Sequence, residues 1–257
     1  PKKVHDNIKT SLQNETLIVS LGAKLKVEKL KYIRDWFLKH EMADFGDPFE
    51  NLFLSRYTPD GFSDNENVRK KVVDYFSSFD NSIIDFKVEK LKEDEDDNEH
   101  LKINTVHRLI NSDETVTLPL QEESAGTLKM FALYLSLQEV METGGVLFVD
   151  ELNSRLHPLL VRNFLINFLD SSINKNHAQI IFTTHDSWTL SNNLLRRDEI
   201  WFTEKDRDGI SSLYSLADFV NEDGQKIRKD ENYEKNYLLG KYGAIPELKS
   251  MIVMEDE

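Results

Sequence analysis

The chain has 257 residues, of which 39% are hydrophobic and 30% charged, and its formal net charge is -14. This composition predicts a globular protein with one large domain or two small ones. The negative charge excludes a surface that attracts nucleic acid everywhere, and the lack of cysteine excludes disulfides and zinc–thiolate sites. No apolar run approaches the roughly 18 residues of a membrane span, and no secretion signal opens the chain, so we expect a cytoplasmic protein without a membrane partner.

The pattern of apolar residues over residues 1–80 predicts a helical lobe. Apolar residues recur at helical spacing over residues 15–42 and are interrupted at Gly22, which predicts two helices. A third helix is predicted over residues 66–79. The intervening stretch is rich in proline and glycine and is predicted as a loop with a short helix near residues 49–54.

The following residues predict strands and then an alternation of helices and strands. Residues 82–91 and 100–110 alternate with period two on either side of an acidic run, which favours an antiparallel hairpin, and residues 115–120 add a third segment. A helix over 124–141, a buried strand VLFV, a helix over 158–169 and a buried strand AQIIFTT then indicate a parallel sheet. A short helix near 192–195 and a hairpin of EIWFTEK with ISSLYSL follow. The predicted fold class is α/β: a partly parallel sheet with flanking helices, plus a helical insertion and antiparallel hairpins.

Two carboxylates, Asp150 and Glu151, directly follow the first buried strand. Ligands of open parallel sheets bind at the carboxyl ends of the strands. A nucleoside triphosphate needs one carboxylate to hold magnesium and a second group to orient the attacking water, and Asp150 and Glu151 suit these two roles. Two polar residues that merely end a strand would give the same pattern.

The sequence Thr-Thr-His-Asp follows the second buried strand and places His185 at the same edge of the sheet. An imidazole there can donate to a terminal phosphate oxygen and detect its loss. Because consecutive parallel strands are usually neighbours, we expect His185 to lie near Glu151.

A helix start of the sequence Glu-Ser-Ala-Gly-Thr precedes the first buried strand. Free N–H groups, a hydroxyl and the positive helix end make such a start an anion site, and Gly126 allows a close approach. Ordinary N-capping by Ser124 explains the same residues.

Together these motifs resemble the ABC-class ATPases, and most closely the bacterial AAA family ATPases related to the overcoming-lysogenization-defect, RecF and SMC proteins. The resemblance covers residues 118–216. In it, ESAGT is similar to the signature motif, VLFVDE to the Walker B strand, LNSRLHP to the D-loop and TTHD to the switch-histidine region. Residues 81–257 are then the C-terminal part of an ABC-type ATPase domain.

The resemblance implies a homodimer that closes head to tail around two ATP molecules with Mg²⁺. Glu151 and His185 would be catalytic, and Asp150 would hold the metal. Contacts to the nucleotide or the dimer seam would come from Ser124, Gly126, Thr127 and Asn153. Relatives also work with an effector such as a nuclease, or with DNA, so either is a possible partner of this protein.

One departure from the family concerns the phosphate-binding loop. The pattern GxxxxGK[ST] is absent, because the one Gly-Lys pair, Gly240-Lys241, is followed by tyrosine. Without that loop the triphosphate has no cradle, so we expect this chain to be a C-terminal fragment that does not hydrolyse ATP alone. Two alternatives stay open: a metal-dependent nuclease or phosphohydrolase using Asp150, Glu151, His157 and His185, and a non-catalytic dimerisation or interaction module.

Overall fold

The computed structural model describes residues 2–12, 16–38, 40–44, 58–91, 100–110, 112–220, 224 and 226–246. The chain divides into two compact units, Pro1–Thr184 and His185–Glu257. The domain boundary predicted at residue 80 stays a prediction. In the described parts of the chain, no helix is both long and apolar enough to cross a membrane.

The N-terminal helical segment is partly as predicted. Helices α2 (Ile18–Lys24) and α3 (Glu28–Leu38) confirm the two expected helices, and a further helix, α1 (Lys2–Ser11), precedes them. The break between α2 and α3 lies at residues 25–27 rather than at Gly22, which is inside α2. The expected helix end near residue 42 is wrong, because Glu41–Asp44 form strand β1. These four residues have little intrinsic strand propensity, so pairing and burial within the sheet decide their conformation. The predicted short helix near 49–54 lies outside the described residues.

An antiparallel sheet packs against helix α4 (Glu66–Phe76). Its strands β2 (Ile83–Leu91), β3 (His100–Arg108) and β4 (Thr115–Pro119) lie in sequence order, as the alternation predicts. The acidic run between β2 and β3 lies outside the described residues. Four buried or nearly buried aromatic rings fill this core with centroid separations of 5.6 to 6.3 Å: Phe62, Phe76, Phe86 and Phe131.

The predicted parallel sheet is confirmed. Strand β5 (Val146–Asp150) lies between β1 and β6 (Gln179–Phe182) and pairs in parallel with both. One face is closely packed, with Ala43, Leu147 and Val149 at most 2% exposed. On the other face Met42 and Ile181 are more than half exposed. The carboxyl ends of all three strands meet at one edge, where the predicted site lies.

Two helices alternate with the sheet strands along the chain: α5 (Ala125–Thr143) precedes β5, and α6 (Pro158–Leu169) lies between β5 and β6. Ser124 caps the start of α5, and Gly144 ends it with a left-handed φ of 71°. A Cβ at Gly144 would lie 2.2 Å from the carbonyl oxygen of Asn176, so glycine is required there both for conformation and for space. Helix α5 is buried on most of its circumference, which is typical of an internal helix.

The second unit holds the predicted hairpin, β7 (Trp201–Lys205) with β8 (Ser211–Ser215), and an unpredicted short helix α7 (Tyr233–Leu238). Its core is a cluster of apolar and tyrosine side chains: Ile200, Phe202, Leu216, Ile227, Tyr233 and Tyr242. The helix predicted near 192–195 is wrong. A single turn stands there, in which Leu194 and Leu195 both donate to the carbonyl of Ser191, and a separate 3₁₀ turn begins at Arg197.

Candidate functional site

The predicted acidic pair stands at the carboxyl end of β5, the central strand of the parallel sheet. The Asp150 side chain is exposed at this edge, and Glu151 is half-buried. Glu151 adopts a left-handed φ of 49°, which is uncommon for a residue with a side chain. The chain therefore turns sharply at the residue predicted to be catalytic.

Thr183, which directly follows β6, joins the two strand ends. Its hydroxyl accepts a hydrogen bond from the Glu151 backbone N–H at 2.9 Å and donates its own proton to the Asp150 carboxylate. The backbone repeats this link, because Leu152 N–H donates to the Thr183 carbonyl at 3.0 Å. The structure thus brings the acidic pair against the end of the next parallel strand, as the sequence predicts.

Thr184 makes a second link between the same two segments. Its hydroxyl donates to the Asn153 side-chain oxygen at 2.9 Å. Asn153 is therefore oriented by the segment that leads to the predicted switch histidine. His185 comes next in the chain, is exposed, and is the first residue of the second unit. Its role at the phosphate stays a prediction.

The predicted signature segment forms the start of helix α5. The Ser124 hydroxyl accepts from Thr127 N–H at 3.1 Å and lies 2.8 Å from the Thr127 hydroxyl, so Ser124 is an N-cap. Thr127 is buried and Ser124 is exposed. A Cβ at Gly126 would lie 3.0 Å from the Arg155 carbonyl oxygen. The helix start thus packs closely on the loop of residues 150–156, and the two predicted motifs are neighbours.

Lys129 is a prominent residue that the sequence analysis missed. Its side chain has no exposed surface, and its Nζ donates to the backbone carbonyls of Glu151, Leu152 and Ser154 at 3.0, 2.7 and 3.0 Å. Burial lowers the pKa of Lys129 to about 7, and the Glu151 carboxylate opposes that shift. One indication was present in the sequence. Lys129 lies one position from the apolar face of helix α5, and that helix is buried around nearly its whole circumference.

A second missed feature connects β3 to the residue before the N-cap. Glu123 accepts from His107 Nε2 at 2.6 Å and from the Thr105 hydroxyl. The other ring nitrogen of His107 lies 3.0 Å from the Ser82 hydroxyl, which in turn donates to Asp80 at 2.6 Å. A buried carboxylate needs such donors, and here they fix the position of Glu123, the first residue of the predicted signature segment.

A third missed residue is Asp44, at the end of β1. It is in register with Asp150, so two strands of the sheet end in aspartate side by side. Helical spacing was predicted up to residue 42, and no strand was predicted at residues 41–44, so Asp44 was not expected at this edge.

His157 has a structural role. Its Nδ1 accepts from Leu159 N–H at 3.2 Å and so caps the start of α6. Within the described ranges, no three histidine, aspartate or glutamate side chains converge as a metal-binding group would require. The nuclease or phosphohydrolase alternative stays open.

A parallel sheet with flanking helices and an acidic pair at its carboxyl edge is the arrangement of a P-loop NTPase-like α/β protein. The model of one protein family, described as "AAA domain, putative AbiEii toxin, Type IV TA system", matches residues 4–191. The match covers well over half of the chain, which therefore belongs to this AAA-domain family. Membership supports a nucleotide-binding function of the ATPase type, with ATP and Mg²⁺ as the general ligands of the family. No protein of curated function matches the sequence.

Proposed function

We propose that this chain supplies the hydrolytic part of an ABC-type ATPase site. The proposal rests on one observation: Thr183 joins Asp150 and Glu151, at the end of β5, to the end of the adjacent parallel strand. Structural packing alone does not require two neighbouring carboxylates at a strand end. A triphosphate with its metal ion does require them.

Asp150 fits the metal role. Magnesium is usually bound by one or two carboxylates, waters and phosphate oxygens rather than by a complete protein cage. The exposed Asp150 carboxylate, held by the Thr183 hydroxyl, provides one such ligand. Bound Mg²⁺ would neutralise charge that develops on the phosphates.

Glu151 and His185 have complementary roles in the proposal. Glu151 orients the water that attacks the terminal phosphate, and the backbone turn at its left-handed φ directs its side chain. His185 donates to a phosphate oxygen and detects its loss, as an imidazole at a strand end can.

The proposed assembly is a head-to-tail homodimer. Ser124, Gly126 and Thr127 would contact the nucleotide held by the other subunit, at a helix start suited to anions. Asn153 would lie at the dimer seam, since it follows the acidic pair in the same loop. The close approach of Gly126 to the Arg155 carbonyl shows that these two segments pack against each other.

The phosphate-binding loop must come from outside these 257 residues, because the sequence lacks the GxxxxGK[ST] pattern. We therefore expect no Mg²⁺-dependent ATP hydrolysis by the chain alone above that of its Glu151→Gln variant. Hydrolysis above that level would overturn this part of the proposal.

The decisive experiment measures ATP hydrolysis in an assembly that also supplies such a loop, in the same or another polypeptide. Glu151→Gln should lower kcat roughly 100-fold or more, because a glutamine cannot accept the proton of the attacking water. Glu142→Gln, an exposed position on α5, is the matched control and should leave kcat unchanged. Equal rates for the two variants would refute the proposed role of Glu151.

A further inference from the structure

We propose that Lys129 is a positioning residue that sets the backbone of residues 151–154, and through it the direction of the Glu151 carboxylate. This inference rests on the proposed function of Glu151. It concerns the contact between helix α5, which begins with the predicted signature segment, and the loop of residues 150–156.

Both peptide groups of Glu151 are held from outside the loop. Its N–H donates to the Thr183 hydroxyl, and its carbonyl accepts from Lys129 Nζ. A left-handed conformation at a residue with a side chain costs free energy, and it persists only where surrounding contacts stabilise it. With its N–H and carbonyl both fixed, Glu151 has a fixed direction for its Cα–Cβ bond, from which the carboxylate extends.

Lysine suits this position for a chemical reason. An ammonium has three protons, and three carbonyls of one short loop lie within 3.0 Å of Nζ. The bonds go to the main chain, so they determine loop conformation whatever the side chains of residues 152 and 154 are. A second left-handed residue, Arg155, follows directly, and a loop with two such turns needs this restraint.

The location of Lys129 connects two parts of the proposed site. It lies two residues after Thr127 on α5, the helix whose start would contact the nucleotide of the other subunit. A shift of α5 on dimer closure would therefore move the Nζ atom and, with it, the Glu151 carbonyl. Through this contact, nucleotide bound at one site would affect the water-orienting residue of the other.

Amide hydrogen exchange on the full 257-residue chain tests the anchoring. In Lys129→Met, the amides of Leu152, Ser154 and Leu156 should exchange roughly tenfold faster, while amides of α6 and β6 should change little. Leu133→Ala, a buried position on the same helix, is the control for general loss of stability. If both variants accelerate the loop amides equally, or if Lys129→Met leaves those amides unchanged, the inference is wrong.

A double-mutant cycle tests whether Lys129 acts through Glu151. In the assembly that supplies the phosphate-binding loop, Lys129→Met should lower kcat roughly tenfold with KM within about twofold. In a Glu151→Gln background the same change should have less than about a twofold effect, because the residue that it positions is gone. Equal losses in both backgrounds would overturn the inference. If no assembly hydrolyses ATP, the proposed function fails, whereas the exchange experiment still decides whether Lys129 anchors the loop.

Discussion

The segment of residues 123–127 and the loop of residues 150–156 are neighbours, but different kinds of hydrogen bond hold them. In the first, side chains are the acceptors: Glu123 accepts from His107 and Thr105, and the Ser124 hydroxyl accepts from Thr127 N–H. In the second, the side chains of Asp150 and Asn153 also accept, but the main chain accepts as well, because Lys129 donates to three carbonyls.

The difference follows from the backbone conformation of each segment. Residues 123–127 begin a regular helix, whose geometry is favourable by itself, so only the end groups need partners. The loop has left-handed backbone at Glu151 and Arg155, and such a conformation persists only where surrounding contacts stabilise it. We therefore expect that loss of Lys129, which anchors the loop, lowers the free energy of unfolding more than loss of Ser124, which caps the helix start.

The largest expected effect on folding is that of Lys129→Met. The change deprives three buried or part-buried carbonyls of this donor. At pH 6, where the Lys129 amine carries all three protons, we expect the free energy of unfolding to fall by about 2–3 kcal/mol. Urea unfolding measures the effect. A loss below that of Ser124→Ala would contradict the comparison, because the helix cap would then matter more than the anchor.

A pH titration of stability tests the same contact of Lys129 with the loop. Burial lowers the pKa of Lys129 from 10.5 to about 7, so between these values the unfolded chain holds a proton that the folded chain lacks. The free energy of unfolding should therefore increase with pH across this window, by about 3 kcal/mol between pH 6 and pH 9. Other groups also titrate, so the quantity to measure is the difference between the native chain and Lys129→Met. A difference that is constant from pH 6 to pH 9 would show that the pKa of Lys129 is not lowered.

A smaller effect is expected from Glu123→Ala. His107 and Thr105 lose their shared acceptor, which should lower the free energy of unfolding by about 1–2 kcal/mol. Glu122→Ala, at the exposed neighbouring position, is the control and should be nearly neutral. Two equal losses would mean that the network around Glu123 does not hold the segment.

Local patterns predicted the regular elements around the site. Helix signals located α5 and α6, and continuous apolar runs located β5 and β6. The parallel order of the strands placed Asp150 and Glu151 at the same edge as the Thr-Thr-His-Asp segment. These features depend on residues close in sequence, or on a general rule of topology.

The missed features depend on contacts between distant residues. Strand β1 has little intrinsic strand propensity and forms through pairing with β5, so Asp44 was not placed beside Asp150. The buried amine of Lys129 is stabilised by carbonyls more than twenty positions away, and Glu123 is paired with His107 of strand β3. No periodicity encodes such contacts, since each requires the fold before it exists.

The smallest effect concerns the helix cap that the sequence did predict. Ser124→Ala removes the acceptor of Thr127 N–H, and loss of an N-cap costs about 1 kcal/mol. Ser124→Asp keeps a capping oxygen and should restore most of this stability. Because the anchor at Lys129 remains in both variants, exchange at Leu152 and Ser154 should stay as in the native chain. If Ser124→Ala accelerated those amides as strongly as Lys129→Met, the helix start and the loop would be a single unit rather than two segments held by separate bonds.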